Sequence, residues 1–268
     1  MRVSVLFLFS ILSLNAFGGD NVLNVFVLTG QSNSLGIIKD GESWEVRKDK
    51  IDEKIKFYWV NRNSKSKVVS TSKEKISHLQ VQYCGENKKT GNYGLEISCM
   101  RDLYKSGMKN IMLIKASRGG GGNSLWLKGS QDDHMYRAVI EAVEGAIKQL
   151  QSKKIKFRIV GLLYLQGESD GGDAEIADVR AKQLLDNLRK DLPEAEDMKM
   201  FIGGIGGPDS RSGTARKKHK ELAKRDRDVT FIDTSDLLDE GQYTDNLHFN
   251  NASKKEIGKR FAKAIKKN

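Results

Sequence analysis

A chain of 268 residues, 38% hydrophobic and 30% charged, is long enough for one domain with a full apolar core. Two prolines, no low-complexity tract and no internal repeat argue against linkers and repeat arrays. The net charge of +11 admits a polyanion-binding surface, but the lysines are spread along the chain beside Glu and Asp, without zinc-finger spacing or an aromatic RNA-binding signature. A nucleic-acid partner is therefore not expected.

Residues 1–18 combine Arg2, an apolar run from Val3 to Phe17 and small residues around Ala16 and Gly18. This is the layout of a secretory signal peptide, and the run is short for a membrane span. The expectation is a mature chain of residues 19–268, secreted or periplasmic, with no membrane attachment after cleavage and a charge of +10 once Arg2 is lost. Leu23–Thr29 then reads as a buried parallel strand. A polar stretch from Lys39 to Thr90 follows, with short strand candidates at Ile55–Val60 and Val68–Thr71. Gly94–Lys105 has helical spacing, and Gly107 is placed to stop the helix. Asn110–Ala116 is a strand, Asp132–Leu150 a helix, Phe157–Leu165 a strand, and Ala174–Leu192 a helix ending before Pro193. Met200–Ile205, the helix Thr214–Lys224, the strand Val229–Ile232 and the closing helix Asn251–Ile265 complete the chain. Such alternation predicts an α/β/α domain of three layers around a five-stranded parallel sheet.

Folds of this kind bind ligands beyond the carboxyl ends of their strands. Four such ends carry unusual residues: Gly30-Gln31-Ser32-Asn33, then Ser117-Arg118-Gly119-Gly120-Gly121-Gly122-Asn123, then Gln166-Gly167-Glu168-Ser169-Asp170, and lastly Asp245-Asn246-Leu247-His248. Together they supply a hydroxyl, flexible backbone donors, an amide, a carboxylate and an imidazole, the parts of an acyl-transfer site. Ser32 is the candidate nucleophile, His248 its base and Asp245 the group that fixes the imidazole. The N–H groups of Ser32 and Gly120 and the amide of Gln166 are the candidate oxyanion donors. Gln31 and Glu168 are supporting residues, Glu168 as an orienting or purely structural carboxylate. Taken singly, each has an ordinary reading: a helix cap for Ser32, a turn for Asp245, a surface or core histidine, a flexible glycine loop. Their joint placement is what is specific. The four histidines (His78, His134, His219, His248) show no metal-ligand spacing, so no metal or other cofactor is expected. Cys84 and Cys99 could pair in an oxidising compartment, or Cys99 could remain a free thiol on an apolar helix face.

At these residues the chain resembles the sialate O-acetylesterase-like branch of the SGNH hydrolases, which also includes acetylxylan esterases of plants and bacteria. Gly30–Asn33 resembles the nucleophile block, Lys115–Trp126 the glycine block, Tyr164–Asp170 the Trp-x-Gln-Gly-Glu-x-Asp block, and Asp245-x-x-His248 the final block. The chain departs at Ser34, where the family often has Met, at Tyr164 for Trp, at Leu95 for Pro, and in a glycine loop lacking Gly-Gly-Thr. The resemblance implies a flavodoxin-like SGNH fold and a Ser-His-Asp acetylesterase. Its substrate would be an acetylated carbohydrate, on sialic acid or on plant or algal polysaccharide. It also implies that Gln166 fills the oxyanion position occupied by Asn in other SGNH enzymes. The 39–90 segment and the loop around Trp126 are expected to form the sugar-facing wall. The alternatives are a silent glycan-binding protein on the same scaffold, an SGNH arylesterase or lipase, and a polyanion binder. Oligomeric state is not readable.

Overall fold

The computed structural model describes residues 22–37, 48–82, 92–208, 212–238 and 245–268. The predicted signal peptide and Cys84 lie outside these residues. Eight strands form one sheet: β1 (Leu23–Gly30), β2 (Lys56–Arg62), β3 (Val68–Thr71), β4 (Ser77–His78), β5 (Ile111–Ser117), β6 (Phe157–Leu165), β7 (Lys199–Gly203) and β8 (Val229–Ile232). The spatial order is β3-β2-β5-β1-β6-β7-β8, with β4 paired to β2. Six strands run parallel, from β2 through β8, while β3 and β4 lie antiparallel on β2.

The expected five-stranded parallel sheet is present as β5-β1-β6-β7-β8, the 2-1-3-4-5 order of flavodoxin-like folds. It is extended by one parallel strand, because the candidate at Ile55–Val60 pairs along β5 with Phe57 opposite Leu113. From the sequence it is only a short strand candidate inside a polar segment. The consecutive burial of Phe57, Tyr58 and Trp59 and the pairing with β5 place it in the sheet.

β1 is apolar without alternation because both its faces are covered. On one face lie α3 (His134–Ser152) and α4 (Ala177–Asp191), which bury Met135, Val139, Val143, Leu150, Leu184 and Leu188 against Val25, Val27 and Leu162. On the other lie α2 (Glu96–Lys105) and α6 (Asn251–Lys267), which bury Met100, Leu103, Ile257 and Phe261 with Phe26 and Leu28. Each such fully buried side chain contributes about 1.5–3 kcal/mol. α5 (Thr214–Arg225) follows β7. Cys99 carries a free thiol, fully buried in the α2 face. Among the described residues, no helix is long and apolar enough to cross a membrane.

Candidate active site

The first strand ends where the fold's topology reverses: β1 lies between β5 on one side and β6 on the other. Loops after these three strands therefore diverge and leave a crevice between them. Gly30 makes the exit from β1. Its φ is +146°, and a Cβ there would stand 2.0 Å from the carbonyl oxygen of Leu165 at the end of β6, so only glycine fits. Gln31 follows, anchored by its N–H on the Leu165 carbonyl (3.1 Å). Ser32 then opens the one-turn helix α1 (Ser32–Leu35), which Gly36 ends in a left-handed conformation. Ser32 is 4% exposed, and its own N–H has no acceptor among the described residues.

His248 lies in the segment before α6 and is buried. Asp245 organises this segment by accepting the N–H of His248 (2.8 Å) and of Leu247 (3.3 Å), with Asn246 in the left-handed region. The imidazole Nδ1 stands 2.8 Å from each Asp245 carboxylate oxygen. A neutral imidazole so placed donates from Nδ1, which leaves Nε2 as its basic nitrogen.

The link between this segment and the turn that carries Ser32 is Asn33. Its Nδ2 donates to the Leu247 carbonyl (3.1 Å) and to Oε1 of Glu168 (2.7 Å), and its Oδ1 accepts the N–H of Phe249 (3.0 Å). The residue after Ser32 thus holds both neighbours of His248. Glu168 is 1% exposed. Burial pushes its carboxyl up to about 7, opposed by the Asn33 amide and the backbone N–H groups of Glu168 and Gly206.

A model for the family described as carbohydrate esterase, sialic acid-specific acetylesterase, matches residues 22–267. The chain belongs to this family. No curated protein matches it at a significant level. Among solved structures, a protein from Arabidopsis thaliana is similar at a TM-score of 0.63 and 20% identity, over 91% of this chain and 98% of that one. NanS is similar at 0.63 and 16% identity, over 92% and 97%. A carbohydrate acetylesterase from Xanthomonas citri is similar at 0.58 and 12% identity, over 91% of this chain and 55% of that one. At these identities the likeness is one of fold.

In this carbohydrate esterase the glycine loop and the Gln166–Asp170 segment are bound to each other. Gly120 and Gly121 have positive φ (+62° and +112°), and the Gly120 N–H has no acceptor among the described residues. Asp170 accepts the N–H of Asn123 (2.9 Å), its Nδ2 (3.0 Å) and the Gln166 amide (2.6 Å). Burial raises the Asp170 carboxyl to about 6 against these bonds. Gln166 does not present the free amide expected of an oxyanion donor. Its Nε2 also donates to the Gly121 carbonyl (3.3 Å), and its Oε1 accepts from Tyr164 (3.0 Å), so both amide protons are in use.

Within the loop expected to face the sugar, the Trp126 side chain itself points into the core. It is 1% exposed, donates its indole N–H to Thr29 (2.9 Å) and packs edge-on against Tyr164. A third polar set was not anticipated from the sequence: Lys115, fully buried on β5, donates to Glu96 (2.9 Å), Gln82 (2.8 Å) and the Leu35 carbonyl at the end of α1 (3.2 Å). The signal was available, as a lysine inside an otherwise apolar strand demands a buried partner. Among the described residues, no three His, Cys, Asp or Glu side chains are grouped to hold a metal ion.

Proposed function

We propose that this carbohydrate esterase removes O-acetyl groups from sugars through an acyl-enzyme on Ser32. Nε2 of His248, its ring oriented by Asp245, takes the hydroxyl proton as Ser32 Oγ attacks the acetyl carbonyl. The N–H groups of Ser32 and Gly120 receive the oxyanion. Collapse breaks the bond to the sugar oxygen, which leaves with the proton from His248. Water, activated by the same imidazole, then releases acetate and restores Ser32. Gln166 acts by holding the glycine loop through Gly121 and Asp170.

The observation that carries this reading is the Asp245–His248 pair, hydrogen-bonded at Nδ1 and tied by its flanking backbone to the residue next to Ser32. The family description and the carbohydrate acetylesterase with a similar fold support an acetylated sugar as substrate. Acetylated sialic acid and acetylated plant or algal polysaccharide are the classes to assay. Residues 1–18 would direct export, which places the enzyme with extracellular or periplasmic glycans.

The test is Ser32→Ala, assayed for acetate release from a panel of acetylated glycans and for thermal stability. Loss of hydrolysis with an unchanged melting temperature is expected. Wild-type turnover by the folded variant would remove the serine mechanism.

A further inference from the structure

We propose that Asn33 and Glu168 form a positioning clamp that sets the reach of His248 to the nucleophile. The proposal rests on the Ser32 mechanism above. The contacts of Asn33 allow no other orientation of its amide. The Phe249 N–H can only donate and the Leu247 carbonyl can only accept, so Oδ1 and Nδ2 are assigned by their partners. Both protons and the carbonyl oxygen of the amide are used, one proton on Glu168. The backbone on each side of His248 is therefore fastened to the residue that follows Ser32, and any movement of α1 carries the histidine segment with it.

Glu168 fixes the amide from behind. Its carboxyl is buried, and no Lys, Arg or His lies within ion-pair distance of it among the described residues. A buried carboxylate without a cation is an expensive way to fill space. What it supplies here is a strong acceptor for the second Nδ2 proton of Asn33, which reinforces the two backbone contacts. Near-attack geometry is sensitive on the scale of 1 Å, so the clamp acts on turnover.

The experiment measures kcat, KM and Tm for the full chain with 4-nitrophenyl acetate. The variants are Ser32→Ala, Asn33→Ala, Asn33→Asp, Glu168→Leu, Glu168→Gln and the double Asn33→Asp/Glu168→Gln. Asn33→Ala and Glu168→Leu are expected to lower kcat by about 10²-fold with KM within about threefold. Glu168→Gln keeps an acceptor oxygen and is expected to restore kcat to within about tenfold of wild type. Asn33→Asp sets a carboxylate against Glu168 and the Leu247 carbonyl. The added Glu168→Gln returns a donor and is expected to recover at least tenfold of the kcat so lost. This comparison of soluble variants stands even if Asn33→Ala or Glu168→Leu fails to fold. An inactive Ser32→Ala with wild-type kcat in folded Asn33→Ala and Glu168→Leu would overturn the clamp alone, as would a double variant no better than Asn33→Asp. A fully active Ser32→Ala would instead overturn the mechanism beneath it.

Discussion

Residue by residue, the imidazole carries the sharpest expectations. Asp245 holds Nδ1 of His248 from two oxygens, which selects the tautomer with a basic Nε2. Asp245→Asn offers an amide that can present N–H to the ring and stabilise the wrong tautomer, so kcat should fall by roughly 10³–10⁴-fold with the fold intact. The kcat/KM of the native enzyme should rise with pH as His248 becomes neutral. Burial pushes the Glu168 carboxyl up to about 7, so it too can shape the profile. A pH profile of Glu168→Gln separates the two: the acid limb persists if it belongs to His248. Gln166 calls for a different measurement. Because its amide bonds Asp170 and Gly121, Gln166→Ala should lower Tm and kcat together. A kcat loss of roughly 10²–10³-fold at unchanged Tm would instead mark a direct oxyanion donor.

Among the elements, the regular ones were legible from the sequence and their polar interlocks were not. β1, β6, β8 and the helices α2 to α6 follow from apolar runs and helical spacing, within a few residues at each end. The sequence marks β2 only as a short strand candidate, because the polar residues around it hide its place beside β5. Ser32, Asp245 and His248 stood out by residue type at strand ends. Asn33 and Asp170 lay in the same blocks without an evident task, since a long-range hydrogen bond leaves no periodicity to read. Lys115 is the clearest such case. Its ammonium joins β5, the start of α2 and the end of α1, with Glu96 as its only buried counter-charge among the described residues. Lys115→Met should cost about 3–5 kcal/mol in urea unfolding, chiefly because Glu96 is left buried and unpaired. Adding Glu96→Gln should recover a large part of that loss. A Lys115→Met protein of native stability would show that the pair holds nothing.

For the whole molecule, buried ionisable groups set opposing responses to pH. Glu168 is raised from 4.5 to about 7 and Asp170 from 3.8 to about 6, both by burial. In each window the folded state binds more protons than the unfolded one, so their contribution is complete at low pH and is lost as pH rises through about 6 and 7. His219, fully buried in α5, is lowered from 6.5 to about 4. There the unfolded state binds the extra proton, and stability is lost as pH falls from 6.5 towards 4. Relative to Glu168→Gln, the native enzyme should therefore lose Tm between pH 5 and 8. Relative to His219→Gln, it should lose Tm between pH 7 and 4. Flat differences in both series would show that neither group is buried in its neutral form. The bond from Phe249 to Asn33 spans 216 positions of the sequence. A ribosome must therefore have made the chain through Phe249 before the segment of His248 can be tied to that of Ser32. Until then, under the mechanism proposed above, Ser32 travels on the nascent polypeptide as an inert hydroxyl.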